Sequence, residues 1–176
     1  MDGTTRRGSW SRRAYGPVGI LALAVAVFAL AFLAVALAPP DHGVAAWWPA
    51  AGLSVIALVW APRDRWVLVA LTLATASGLA NLAAGRPVQI AVGFGLTNAL
   101  EAVVVAWWLV RGRRSPRLAG LEDVARLLTA TVLGLVVMGL GAGLTVWLGE
   151  GGHFLVTART VMASHGAAIL VVVPLG

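Results

Sequence analysis

The chain of 176 residues is 60% hydrophobic and only 11% charged, with a mean hydropathy of +0.89. A soluble core of this length does not need so much apolar side chain, so the composition excludes an ordinary water-soluble domain and indicates a membrane protein. All 13 basic residues are arginines, and with seven acidic residues they give a formal net charge of +6. In so apolar a chain this excess is typical of the charge pattern that sets membrane orientation, and we predict no nucleic-acid partner. The sequence contains no cysteine, which excludes disulfides, thiolate nucleophiles and cysteine-ligated metals.

Residues 1–16 form an arginine-rich arm, which we predict to be cytoplasmic and close to anionic lipid headgroups. The first apolar run, 18–38, is long enough to cross a bilayer and ends at Pro39-Pro40. Its last residues resemble a signal-peptidase site, but a signal peptide has an apolar region of only about 7–15 residues. We therefore predict an uncleaved membrane anchor.

The second apolar segment, predicted at 45–61, is irregular near its start. Trp47 and Trp48 are predicted to anchor it at the outer interface, and Pro49 is well suited to the first turn of a helix. Counted from Pro49, the segment is short for a full span. Short spans marked by proline and glycine point to a binding cavity, because irregular backbone at membrane depth must be buried in protein or face water. A helix that begins earlier, at Val44, is the alternative.

Four more helices are predicted at 66–84, 88–110, 124–148 and 155–175. The fold class is therefore all-α: a polytopic membrane helix bundle with about six transmembrane helices over 17–176. We expect 118–128 to form a short amphipathic turn at the interface before the fifth helix. The chain reaches the inner face at Gly176 without a cytoplasmic tail, so we expect this stretch to belong to a longer protein.

Small residues recur every four positions along the third and fourth predicted helices. This spacing lets two membrane helices approach closely. The residues are Ala70, Ala74 and Gly78 in one helix and Ala91, Gly95 and Ala99 in the other. The pattern predicts a central position for the fourth helix.

Arginine and tryptophan positions agree on orientation. If the amino terminus is inside, the inner loops collect every arginine except Arg86 and Arg159, as the positive-inside rule requires. The tryptophans then fall at the two interfaces, as aromatic belts do. We predict six helices with both ends cytoplasmic.

Polar residues within these apolar helices are the candidates for function. Asn98 and Glu101 lie near the middle of the fourth helix and share one face, because they are three residues apart. A carboxylate in hydrocarbon costs several kcal/mol unless it is protonated, paired or wetted, so Glu101 is either a ligand-responsive group or a protonated structural carboxyl. His165, near the middle of the sixth helix, would form a pH-sensitive pair if it met Glu101; a lone, satisfied histidine is the alternative.

No residue pattern predicts catalysis or a metal site. Ser164 and His165 are adjacent on one helix, where neighbouring side chains diverge, so they do not form a nucleophile and its base. A phosphate loop, a dinucleotide fingerprint and a zinc-protease motif are all absent from the sequence. His42 and His153 each lie near an acidic residue, but their spacing does not indicate a metal site. We predict no enzyme activity in this stretch, no metal and no cofactor.

Three patches, taken in order, resemble one family. They are Trp48-Pro49-Ala50-Ala51-Gly52, then Asn81 with Thr97-Asn98-Ala99-Leu100-Glu101, and finally Ile169-Leu170-Val171-Val172-Val173-Pro174. Over most of 45–176 the chain resembles the first class of MASE-type membrane-associated sensor domains, which are integral membrane input modules of bacterial signalling proteins. The resemblance implies about eight helices and a downstream output domain such as a histidine kinase or a diguanylate cyclase.

The chain departs from the family pattern near its end. Where the family has tryptophans and a Gly-Asp pair, this sequence has Val161, Met162, Ser164 and His165. One carboxylate, Glu101, would therefore face an imidazole instead of a second acid. This difference leaves open whether the ligand of the family is bound here.

The sequence thus predicts a sensory domain of the bacterial inner membrane that binds a small ligand or a membrane partner within the helix bundle. A change in helix packing would pass to a cytoplasmic output domain, and a homodimer is one arrangement considered. The candidate ligand-binding residues are Glu101, Asn98, His165, Asn81 and Trp48, although Asn81 also suits a helix end. The alternatives are a six-helix substrate-binding component of a small-molecule transporter and a purely structural membrane partner.

Overall fold

The computed structural model describes residues 14–38, 45, 47–112 and 120–176, and within these ranges the regular structure is helical. Its six α-helices are α1 (Pro17–Ala36), α2 (Pro49–Trp60), α3 (Trp66–Ala83), α4 (Val88–Val110), α5 (Leu121–Glu150) and α6 (Phe154–Val172). Short 3-10 turns occupy Arg63–Arg65 and Val173–Leu175. All of the helices except α2 are long and apolar enough to cross a membrane. The predicted all-α bundle is confirmed, while most of the predicted arginine-rich arm lies outside the described residues.

The helices form two groups of four that share α2 and α4. On one side α1 packs against α2 and α3, and α3 packs against α4. On the other side α4 packs against α5, α5 against α6, and α6 against α2. Along α4 about every second residue is buried, whereas α1 buries only Val27 and Ala31. Thus α4 is central, as its small residues predict.

The predicted stripes of small residues meet between α3 and α4. A Cβ atom added to Gly95 would lie 2.5 Å from the carbonyl oxygen of Ala74 and 3.1 Å from the Cα of Gly78. The backbones of the two helices therefore touch at this point. Only glycine allows so close an approach without moving one helix.

The predicted start of α2 at its proline is confirmed, and the longer bound at residue 45 is wrong. The helix begins at Pro49, while Trp48 before it has φ −125° and ψ 73°. Proline fixes its own φ, needs no N–H partner in the first turn and disfavours a helical residue before it, so the helix cannot extend backwards through Trp48. The 12 residues of α2 span about 18 Å, or roughly half of a bilayer core. Its amino end consequently lies at depth within the bundle.

Helix α5 is a single helix of 30 residues. The predicted interfacial turn at 118–128 is wrong for the part that is described, because 121–128 already belong to the helix. Its first turns are tied to the end of α4 by Arg126, which donates hydrogen bonds to the carbonyl oxygens of Arg111 at 3.0 Å and Trp108 at 3.3 Å. The ends of the remaining helices lie within three residues of the predicted bounds.

Candidate functional site

Glu101 and His165 meet in the interior of the bundle. The Nδ1 atom of His165 lies 2.6 Å from Oε2 of Glu101, and the two side chains are 3% and 1% exposed. The sequence leaves two interpretations of His165 open, a pair with Glu101 or a lone histidine, and the structure shows the pair. The contact is a short hydrogen bond between two buried side chains.

Glycine on α5 makes room for this pair. A Cβ atom added to Gly134 would clash with Val105 and would lie 3.3 Å from the Cγ of Glu101. The helix continues without a break at Gly134, so this glycine marks close packing and not a weak point in α5. A larger residue there would push against Val105 and crowd the side chain of Glu101.

Trp48 covers the other side of the imidazole. The rings of Trp48 and His165 are stacked, with centroids 5.7 Å apart and planes inclined by 8°. Trp48 is buried, whereas Trp47 is 52% exposed, so only Trp47 presents its ring at the surface of the bundle. The reason is the late start of α2, which brings the residue before Pro49 into the bundle.

The motif Trp-Pro-x-x-Gly joins α2 to α6 at two levels. Trp48 contacts His165, and one turn further along a Cβ atom at Gly52 would clash with Val172 and lie 3.0 Å from the carbonyl oxygen of Ala168. The spacing of the motif therefore places an aromatic ring and a small residue on the same face of α2. Both of them face α6.

Two asparagines converge on Ser77 of α3. The amide nitrogen of Asn98 donates to Ser77 Oγ at 2.9 Å and to the carbonyl oxygen of Phe94 at 2.7 Å. The amide nitrogen of Asn81 donates to the carbonyl oxygen of Ser77 at 2.8 Å. The sequence did not indicate Ser77, although its position four residues before Asn81 and beside Gly78 would have placed it on the same face.

Asn81 contributes to the end of α3 through its backbone and not through its side chain. Its carbonyl oxygen accepts a hydrogen bond from the N–H of Arg86 at 3.0 Å, while Gly85 has φ +88°. This is the Schellman arrangement that ends many helices at a glycine. The side chain is 1% exposed and lies inside the bundle.

A small cavity of about 20 Å³ lies where these residues meet. This volume is sufficient for about one water molecule. The cavity is lined by Ala45, Trp48, Asn81, Arg86, Phe94, Asn98, Met138, Val161 and His165. Four of the five predicted site residues thus line one cavity, and the fifth, Glu101, is bonded to His165. We call Trp48, Ser77, Asn81, Asn98, Glu101 and His165 the polar cluster.

Three buried oxygen atoms near the cluster have no hydrogen-bond partner among the described residues. They are Oδ1 of Asn98, Oε1 of Glu101 and Oγ of Ser164. A buried acceptor left without a partner costs about 1–3 kcal/mol. Of these three residues Asn98 lines the cavity, so its Oδ1 favours the binding of a hydrogen-bond donor there.

Arg86 also belongs to the site, although the sequence did not predict it there. It lies in the turn between α3 and α4, lines the cavity, and places its guanidinium carbon 5.2 Å from the centre of the Phe94 ring. Burial lowers the pKa of Arg86 from its usual value, and the negative charge of Glu150 opposes this effect. The sequence contains one signal that points to Arg86: it is one of the two arginines that do not follow the positive-inside rule.

The described residues contain no group of three or more histidine, cysteine or acidic side chains that could hold a metal ion. His153 is exposed at the start of α6, and His42 lies outside the described ranges.

No protein-family model, no curated protein and no solved structure matches this chain. The resemblance to MASE-type sensor domains therefore stays a prediction.

Proposed function

We propose that this protein is the sensory input module of a bacterial signal-transduction protein, that it crosses the inner membrane several times and that its amino terminus is cytoplasmic. The observation that carries the proposal is the buried Glu101–His165 pair, which lies beside a polar cavity and under the ring of Trp48. Burying a charged pair contributes little to stability compared with apolar residues of similar size. Its presence at depth therefore favours a role in binding.

The contacts of α2 suggest how occupancy of the site would be transmitted. Trp48 holds the amino end of α2 against His165, while Gly52 packs against the last turns of α6 at Ala168 and Val172. A ligand that changes the Trp48 contact would shift α2 against α6. An output domain that follows α6 would receive this shift as a change between two helix packings.

The resemblance to MASE-type domains supports the same function. It suggests a kinase or cyclase as the partner domain and bacterial signalling as the setting. The bilayer is the first partner, because many large apolar side chains of the helices are exposed on the surface of the bundle. Signalling domains of this kind act in pairs in many proteins, so a homodimer is part of the proposal.

The cavity at the polar cluster is too small for an organic substrate, whether transported or sensed. Pockets for small organic molecules have volumes of about 300–1,000 Å³, and the cavity at the polar cluster has about 20 Å³. The gene sequence beyond Gly176 separates the two functions. An output domain there supports the sensor, whereas a stop codon beside an ATPase gene supports the transporter component.

The decisive experiment measures the output activity of the full-length gene product in membrane vesicles. We expect Glu101→Gln and His165→Gln to shift the ratio of active to inactive protein by about tenfold, because each removes a charge-assisted hydrogen bond of roughly 1.5 kcal/mol or more. Asp64→Asn and His153→Gln are matched controls at exposed positions and should leave the output unchanged. If the two site variants behave like their controls, the sensory role of the pair is wrong.

A further inference from the structure

We propose that the ligand of the polar cluster is a proton, which Nε2 of His165 takes up from a water molecule held in the cavity. The inference rests on the proposed function, since it names the stimulus of the same site. Four features of the structure lead to it: the volume of the cavity, the hydrogen bond at Nδ1, the charges around the pair, and the ring stacked on His165.

The volume restricts the ligand to the size of a water molecule. A cavity of about 20 Å³ holds about one water and no organic molecule. Ammonium and sodium ions have a suitable size, but the guanidinium of Arg86 on the same wall would repel them. A neutral water molecule has no such cost, and it can deliver a proton.

The hydrogen bond to Glu101 decides which nitrogen receives that proton. In the proposed state Glu101 is a carboxylate, which only accepts, so Nδ1 at 2.6 Å from Oε2 is the donor and the neutral ring keeps a lone pair on Nε2. His165 lines the cavity and Glu101 does not. Nε2 is therefore the ring nitrogen left for the cavity water, and the unpartnered Oδ1 of Asn98 offers that water a second hydrogen bond.

The surrounding charges suit the uptake of one proton. Before uptake the pair consists of a carboxylate and a neutral imidazole, with charge −1, while the positive charge of Arg86 on the cavity wall is offset by the negative charge of Glu150. After uptake it consists of a carboxylate and an imidazolium, with charge zero. The proton leaves the water, which is re-protonated from the aqueous phase, and no other bond changes.

Few other ionisable groups face the pair. Helices α1, α2 and α3 carry none between their first and last residues, and Glu101 is the only one on α4. On α6 the other charged residue is Arg159, which is exposed, and the charged residues of α5 lie in its first two turns and at Glu150. Among the described residues the charged groups that bear on the pair are therefore Arg86 on the cavity wall and Glu150, which acts on Arg86.

Protonation would strengthen the contact that holds α2. An imidazolium stacked on an indole gains a cation–π attraction that a neutral imidazole lacks. The rings of His165 and Trp48 have the required parallel arrangement. Proton uptake should therefore tighten the amino end of α2 against α6.

The test uses the fluorescence of Trp48, because a protonated imidazole quenches an adjacent indole. The full-length protein is placed in phosphatidylcholine–phosphatidylglycerol nanodiscs, and the emission of Trp48→Phe is subtracted from that of the wild type between about pH 4.5 and about pH 8.5. We expect the Trp48 emission to be lost as the pH falls, in one transition. His165→Gln should remove the transition, Glu101→Gln should move it to lower pH, and His153→Gln should leave it unchanged.

The proposal is overturned if the Trp48 emission does not change with pH, or if the transition persists in His165→Gln. Near-ultraviolet circular dichroism of each variant verifies that the fold is retained. Failure of this inference is distinguishable from failure of the proposed function. A constant emission together with a shifted output in Glu101→Gln rejects the proton and keeps the sensory role, while a titrating emission with an unchanged output rejects the sensory role.

The route through the cavity has its own test. Asn98→Leu removes the acceptor for the cavity water but leaves the Glu101–His165 pair in place. After a rapid pH jump, the loss of one hydrogen bond should slow the fluorescence change about tenfold with an unchanged amplitude. An unchanged rate contradicts delivery by this water.

Discussion

The polar cluster and the groove between α1 and α3 show two ways in which the same apolar helices pack. The groove has a volume of about 580 Å³ and an almost wholly apolar lining. It is lined by Pro17, Ile20, Leu21, Ala24, Val25, Phe28, Leu71, Thr72, Thr75, Ala76 and Leu79. The cavity at the polar cluster is far smaller and holds the buried polar atoms described above. One region is loosely packed and apolar, and the other is tightly packed and polar.

The difference shows what determines geometry within a membrane. An apolar side chain in the groove is nearly as well solvated by hydrocarbon as by protein, so its position is weakly determined. A polar side chain in the cluster must find a partner, because a buried polar group without one is costly. The positions of side chains are therefore fixed more strictly in the polar cluster than in the apolar groove. The following substitutions test this difference.

The largest effect should come from removing one member of the buried pair. We expect Glu101→Leu to lower the free energy of unfolding by about 3 kcal/mol, because it leaves His165 buried without its partner. The double variant Glu101→Leu/His165→Leu should recover most of this loss, since no polar group remains unpaired. Unfolding in a detergent titration measures both. The control is Leu21→Ala in the groove, where the side chain is 65% exposed; it should change the free energy of unfolding by less than about 1 kcal/mol. An equal loss of stability in Leu21→Ala and Glu101→Leu would show that the cluster is no more strictly packed than the groove.

A smaller effect is expected at the contact of α3 with α4. Gly95→Ala places a methyl group against the backbone of Ala74 and Gly78, so one helix must move at a cost of about 1–3 kcal/mol. Gly120→Ala is the control, because a Cβ atom at Gly120 meets nothing within 4 Å. The same detergent titration applies. Equal stability of the two variants would show that the backbones are not in contact.

The smallest effect concerns a polar tie just before α1. The hydroxyl of Tyr15 donates a hydrogen bond of 2.6 Å to the carbonyl oxygen of Ala57, so Tyr15→Phe should cost about 1 kcal/mol. Burial raises the pKa of the Tyr15 phenol above 10.0. The folded state therefore holds this proton more tightly than the unfolded state, and its contribution to stability is complete below about pH 10 and is lost as the pH rises through the raised value.

Absorbance of the phenolate measures this titration directly. Tyr15 is the only tyrosine of the chain, so the signal belongs to it alone. The midpoint should lie above that of the detergent-unfolded protein. An identical midpoint in both states would mean that the Tyr15 hydroxyl is exposed to water.

Much of the fold could be predicted because hydropathy and helix length are linked in a membrane. Each apolar run of about 20 residues has one stable arrangement, so composition predicts the helices and their ends. The same reasoning identified Glu101, Asn98 and His165, since polar side chains in apolar helices turn inward. Their convergence on one cavity depends on the rotation and depth of each helix, which tertiary packing determines.

The residues that sequence reasoning misplaced or missed are those for which two local signals compete. A tryptophan favours the interface, but Pro49 starts α2 so late that Trp48 is drawn inside. Ser77 looked like one more small residue in a packing stripe, and Arg86 like an ordinary loop arginine. Only the contact of α3 with α4 brings Ser77 to Asn98 and Arg86 to the cavity.

The most direct test of the central claim is the protonation of His165 in the folded protein. Nitrogen-15 NMR of histidine-labelled protein in nanodiscs reports which ring nitrogen carries hydrogen, and the His165 signal is identified by its loss in His165→Gln. The account predicts a hydrogen on Nδ1, held in a strong hydrogen bond that weakens in Glu101→Gln. A neutral ring with its hydrogen on Nε2, unchanged in Glu101→Gln, would contradict the pair on which the proposed site depends.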